Sequence, residues 1–102
     1  MERVATITLN PACESACEAE QVSATDKIRA FAERYDPGGG GLNVARVLHR
    51  FGVPVEAIYL SGGPTGALLD ELLDEAGLPR RAIPIADQTR MSLAVYERST
   101  GQ

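Results

Sequence analysis

Four consecutive glycines, Gly38 to Gly41, follow Asp36-Pro37 and run directly into Leu42-Asn43-Val44-Ala45-Arg46. Without a Cβ in the way, backbone N–H groups in such a turn lie open beside a polar ligand, and a helix that starts there adds the positive end of its dipole. Pro37 fixes the approach of the chain, and Asn43 and Arg46, three residues apart, share one face of the helix that should follow. The chemistry this suits is the holding of a sugar or a phosphate. The run matches neither G-x-G-x-x-G nor G-x-x-x-x-G-K-[ST], because no Lys-Ser/Thr pair follows the last glycine. Read alone, it is also compatible with a surface loop.

Few other residues carry chemistry on their own. Cys13 and Cys17 have no second cysteine pair, and the single histidine, His49, is distant in sequence, so the spacing of a structural zinc site is missing. The thiols read as free and intracellular. His49 belongs to the last turn of the expected helix, where it complements the carbonyl end. Asp70, Glu71, Asp74 and Glu75 alternate with leucines and read as the solvated face of a second helix.

Positioning these residues requires a compact scaffold, and 102 residues with 44% hydrophobic and 24% charged content are enough for one small globular unit. A formal charge of -4 argues against non-specific adhesion to nucleic acid, which relies on a basic stripe. No basic stretch leads into a long apolar run near the N-terminus, and no segment approaches the roughly 20 apolar residues of a membrane span. A cytoplasmic location with no membrane or nucleic-acid partner is expected.

Arg3 to Leu9 is rich in β-formers and ends at Asn10-Pro11, where proline removes a donor. The apolar positions 42, 44, 45, 47, 48 and 51 form a helical stripe that Gly52 and Pro54 terminate. Val55 to Leu60 reads as a strand. A second helix is expected from about Gly66 to Ala76, burying Leu68, Leu69, Leu72 and Leu73, with Gly77 at the C′ position. Strand, helix, strand and helix make a βαβα run, which predicts a parallel sheet with ligands at the carboxyl ends of its strands. Met91 to Tyr96 alternates as a half-buried strand. Propensity in Asp26 to Tyr35 leans towards helix, although strand alternation would align Lys27, Arg29, Phe31, Glu33 and Tyr35. Ser99 to Gln102 is turn-like, as if the chain stopped inside a hairpin, and the expectation is a fragment.

Thr8-Leu9-Asn10-Pro11, Lys27-Ile28-Arg29, Pro37 to Leu48, Gly62-Gly63-Pro64-Thr65-Gly66 and Thr89-Arg90 occur in an order that resembles the N-terminal third of ribokinase-like (PfkB-type) sugar kinases. The likeness covers the whole chain and points to the phosphofructokinase branch. Kinases of fructose-1-phosphate and tagatose-6-phosphate typically carry a lysine within the glycine run. Gly40 stands there in this chain, which is similar to the minor-isozyme type of 6-phosphofructokinase. The resemblance implies an α/β fold, the start of a three-layer sandwich with a parallel sheet, and a small β-sheet lid drawn from approximately residues 17–35 and 89–98. That assignment overrides the helical leaning of the 27–35 segment.

The resemblance also implies the reaction. The terminal phosphate of ATP, with Mg²⁺, would pass to a phosphorylated ketohexose, fructose-6-phosphate first among them. It assigns Gly39, Gly40 and Asn43 to the sugar hydroxyls and Lys27, Arg29 and Arg90 to the sugar phosphate, one of them reaching across a homodimer joined through lid strands. The catalytic base and the ATP and Mg²⁺ sites would lie outside these residues, so that no catalytic residue is expected here. Where the family has an aspartate after the Asn-Pro turn, this chain has Glu14, which keeps the charge but extends one methylene farther. Arg46 reads as a structural residue that covers the helix base. The alternatives are a 1-phosphofructokinase or tagatose-6-phosphate kinase, a non-catalytic sugar-phosphate-binding module, or a purely structural dimerisation piece.

Overall fold

The computed structural model describes residues 3–20, 22 and 30–101. Along the chain, β1 (Val4–Thr8), β2 (Ala12–Ala19) and β3 (Ala30–Gly38) precede α1 (Gly40–Arg50). Then come β4 (Val55–Ser61), α2 (Gly63–Glu75), β5 (Arg80–Pro84) and β6 (Arg90–Glu97). The strands sort into two sheets of three, ordered β1-β4-β5 and β3-β2-β6. The first is wholly parallel, with Val4 opposite Val55 and Ala57 opposite Arg80. In the second, β2 runs antiparallel to β3 and parallel to β6.

The parallel sheet arises from the two βα units expected from the hydrophobic pattern. Val55, Ala57, Tyr59 and Ser61 alternate inward along β4, and the first three meet Leu42 and Ala45 of α1, Leu69 and Leu73 of α2, and Leu78. Burying each of those leucines contributes roughly 1.5–3 kcal/mol. Ile7, 67% exposed, and the half-exposed Ile83 mark the other face of this sheet, which no helix covers among the described residues. One helix layer on a parallel sheet, joined to a mixed small sheet, is an α/β arrangement consistent with the start of a ribokinase-like sandwich.

Several local expectations are corrected. Helix α1 starts at Gly40 rather than Leu42, and its apolar stripe is only partly buried. Val44 and Val47 are about half exposed, and Phe51, which caps the C-terminus, is 77% exposed. Helix α2 starts three residues early, because Pro64 sits in its first turn, where a missing N–H costs nothing. Of its four leucines, Leu69 and Leu73 are buried while Leu68 and Leu72 are intermediate. Gly77 has φ 70°, as the residue after the C-cap Ala76 requires. From Ala30 onward the segment of helical propensity is strand. Residues 91–96 of β6 are exposed throughout rather than half-buried, and among the described residues β6 has β2 on one side and no strand on the other. Strands β2, from residue 12, and β5 were not anticipated at these positions. No helix among the described residues is long and apolar enough to cross a membrane.

Candidate functional site

The glycine turn lies where the two sheets meet. Gly38 is the last residue of β3, and Gly39, with φ 123°, is the N-cap of α1. An L side chain rarely adopts that φ, and a Cβ on Gly39 would also sit 2.9 Å from Thr8 Cγ2. Gly41 packs onto the end of β1, where a Cβ would strike the Thr8 hydroxyl and stand 2.9 Å from the Ile7 carbonyl oxygen. Gly40 differs: nothing lies within 4 Å of its Cβ direction, so it faces open space. Helix α1 has no side-chain cap, and its first-turn amides, which have no partners inside the helix, lie at the dipole's positive end.

Arg46 holds this turn in place. Its Nη1 donates to the Pro37 carbonyl at 2.9 Å and to Asn43 Oδ1 at 3.3 Å, tying the end of β3 to the second turn of α1. The face shared by Asn43 and Arg46 is therefore real, and the arginine's role there is structural. Asn43 is exposed, and its backbone N–H closes the first helical bond to the Gly39 carbonyl at 2.9 Å.

Across the small sheet, Ala12 pairs with Gly38 on one side and Arg90 on the other, and Glu14 pairs with Asp36 and Ser92. Directly paired positions share a face, so Glu14 and Arg90 rise on the same side of the sheet. Two strand spacings of about 4.8 Å separate the Arg90 backbone from Gly38. The Glu14 carboxylate lies over Gly38, where a Cβ would overlap its Oε1 and sit 2.5 Å from its Cδ. Glu14, Gly39, Gly40, Asn43 and Arg90 are thus brought to one region, with Glu14 lying against Gly38, the residue that precedes the turn into α1. Lys27 and Arg29 lie outside the described residues.

On the opposite face of β2, Cys13 is fully buried, and burial first, then the Asp36 charge, pushes its thiol pKa up. An unreactive, protonated thiol follows. Thr6 and Thr8 keep their hydroxyl oxygens buried with no hydrogen-bond partner. Among the described residues no three His, Cys, Asp or Glu side chains gather into a metal ligand set. A cavity of about 440 Å³ opens farther along the small sheet, lined by Ala16, Cys17, Glu18, Arg34, Ala94, Val95 and Tyr96. None of Glu14, Gly39, Gly40, Asn43 or Arg90 lines it.

Sequence reasoning missed two contributors. Gly38, taken only as one of four glycines, is where the backbone makes room for the Glu14 side chain. Thr89 is buried and bonded to Gly62, and the only hint of it was the Thr89-Arg90 pair.

A profile of pfkB family carbohydrate kinases matches residues 5–102. The ATP-dependent 6-phosphofructokinase isozyme 2 of Mycobacterium tuberculosis (strain CDC 1551 / Oshkosh) is 48% identical over 100 residues, covering 98% of this chain and 30% of that protein. The 1-phosphofructokinase of Xanthomonas campestris pv. campestris is 30% identical over 97 residues, 95% of this chain and 30% of the relative. A crystal structure of phosphofructokinase-2 from Escherichia coli in complex with fructose-6-phosphate superposes with a TM-score of 0.91 at 37% identity. It covers 100% of this chain and 34% of its own, so the chain spans about a third of the proteins it matches. With the profile match across nearly all its length, the chain belongs to the pfkB family of carbohydrate kinases, in its phosphofructokinase-2-like branch.

Proposed function

We propose that this chain forms the acceptor side of the active site of an ATP-dependent 6-phosphofructokinase, binding fructose-6-phosphate. The observation that carries the reading is the junction of the two sheets, where an open glycine turn, an uncapped helix N-terminus, a carboxylate and an arginine converge. Gly39, Gly40 and Asn43 offer backbone and side-chain groups to sugar hydroxyls, and the carboxylate of Glu14 accepts from a hydroxyl. Arg90 supplies the bidentate cation that a sugar phosphate needs and an unphosphorylated sugar does not. Lys27 and Arg29 are assigned to the same phosphate, and the small sheet acts as a lid that pairs two subunits.

Kinases of this family use ATP with Mg²⁺, which supplies charge neutralisation at the transferring phosphoryl group. The residues described here contribute orientation: they hold the acceptor hydroxyl in line and keep the sugar phosphate fixed while transfer occurs. The donor site and the catalytic base belong to the remainder of the protein. The similarity to 1-phosphofructokinases favours fructose-1-phosphate as a second substrate reading.

The test is phosphoryl transfer by the protein from the full reading frame, with Mg-ATP and fructose-6-phosphate, fructose-1-phosphate and tagatose-6-phosphate in parallel. A preference for fructose-6-phosphate supports the reading. A preference for fructose-1-phosphate replaces it with the second, and no transfer by folded protein replaces both with a non-catalytic sugar-phosphate-binding module.

A further inference from the structure

Arg90 opens β6 directly after the connection from β5, and the residue before it is locked to the parallel sheet. Thr89 is 5% exposed. Its backbone N–H donates to the Gly62 carbonyl at 2.9 Å, and its Oγ1 accepts from the Gly62 N–H at 3.1 Å. One residue thus closes a two-bond ring on another, which fixes rotation as well as position. The Ile85 N–H donates to the Ser61 carbonyl at 3.0 Å, adding a second tie nearby. A Cβ on Gly62 would run into the Asp87 carbonyl and sit 2.7 Å from the Ile85 carbonyl oxygen, so the connection lies tight over the start of α2.

The layer beneath is itself fixed. Ser61 Oγ donates to Asp70 Oδ1 at 3.0 Å, and the buried Tyr59 hydroxyl donates to the same oxygen at 2.5 Å. A Cβ on Gly66 would stand 2.5 Å from Ser61 Oγ and 3.1 Å from Thr89 Oγ1, so the two hydroxyls converge on a position that only glycine leaves open. Thr89 therefore rests on a braced platform.

We infer that Thr89 is a positioning residue for Arg90: its reciprocal bonds with Gly62 set where β6 begins relative to the parallel sheet, on whose β1 the glycine turn packs, and so where the guanidinium meets the sugar phosphate. The inference rests on the reading of Arg90 as a phosphate ligand. An arginine has a long, mobile stem, and a displacement of its Cα moves the fork out of bidentate register.

The experiment uses the full-length kinase and three variants. Thr89→Val keeps the shape and removes the oxygen, Thr89→Ser restores it, and Arg90→Ala reports the ligand itself. The Thr89→Val variant should raise KM for fructose-6-phosphate on the order of tenfold with kcat changed less than about twofold. The amides of residues 90–93 should exchange hydrogen about tenfold faster while those of 95–97 do not change. Thr89→Ser should recover most of both effects. A lower Tm with KM and exchange at 90–93 unchanged, while Arg90→Ala raises KM, overturns the inference and leaves the phosphate reading standing. An unchanged KM in Arg90→Ala overturns the phosphate role and the inference with it, and the exchange readout separates that failure from a failure of the Thr89 bonds. Should Thr89→Val fail to fold, Thr89→Cys, of similar size and a weak acceptor, takes its place.

Discussion

Gly40 and Gly41 are adjacent in the first turn of α1, yet alanine at the two positions should act in opposite directions. Neither has a positive φ, so backbone strain does not distinguish them. At Gly40 the new methyl meets nothing within 4 Å. The gain is then the reduced freedom of the unfolded chain, about 0.4–1 kcal/mol of added stability. At Gly41 the methyl strikes the buried Thr8 hydroxyl and the Ile7 carbonyl oxygen at 2.9 Å. Both belong to the strand beneath and cannot swing aside as a surface side chain would. Overpacking of this kind costs about 1–3 kcal/mol, which exceeds the same entropic gain and leaves Gly41→Ala less stable by roughly 1–2 kcal/mol. Urea midpoints of the two variants in the full-length protein should therefore fall on either side of wild type. Function should rank them differently, because the Gly40 methyl points into the space assigned to the sugar: Gly40→Ala should keep or raise stability while raising KM for fructose-6-phosphate. Equal midpoints for the two variants would refute the close approach of α1 to β1. A stable Gly40→Ala with unchanged KM would remove Gly40 from the sugar site.

Two other perturbations follow from the bracing network. Tyr59→Phe deletes the bond to Asp70 while Ser61 still donates to that carboxylate, so denaturant unfolding should show a loss of about 1–2 kcal/mol; a loss within error would mean that the phenol is not needed to brace α2. The Arg80 guanidinium, 2.7 Å from Asp74 Oδ1, holds the Asp74 carboxyl below the ordinary aspartate range. A depressed folded pKa contributes stability above the unfolded value of about 4 and loses it as pH falls through the folded value. The stability difference between wild type and Asp74→Asn should be constant from pH 5 to 7 and shrink below about pH 4, and a difference independent of pH would refute the pairing.

The sequence was most readable where side-chain pattern and backbone need coincide. The stripe from Leu42 and the leucines of α2 predicted both helices, because their periodicity reflects the sheet they cover. It was least readable at β2. Ala12-Cys13-Glu14-Ser15-Ala16-Cys17-Glu18-Ala19 contains no β-branched or aromatic residue, yet it is the central strand of its sheet, held by partners on both sides. Small residues suit that place because its inner face is buried at Cys13, Ser15 and Ala19. β5, with Arg80, Arg81 and a terminal Pro84, is too short and polar to show a period, and it lies at a sheet edge where proline is tolerated. Of the site, the glycine turn, Asn43 and Arg90 carried local signals or a family resemblance. Thr89 and Gly62 stood within motifs that carry the resemblance, but nothing in the sequence joined them, because their bonds link positions far apart in sequence through one hydroxyl.

The parallel pairing of β2 with β6 has a kinetic meaning. Strand β3 can meet β2 early, since a short stretch of chain joins them, but most of the molecule lies between β2 and β6. Closing so long a loop is favourable only once the intervening βα units have compacted and shortened the distance to be searched. The small sheet should thus be completed last, its final strand delivered by a parallel sheet already formed, and pulse-labelled amides of β6 should gain protection after those of β4. Earlier protection of β6 would show that the order is reversed.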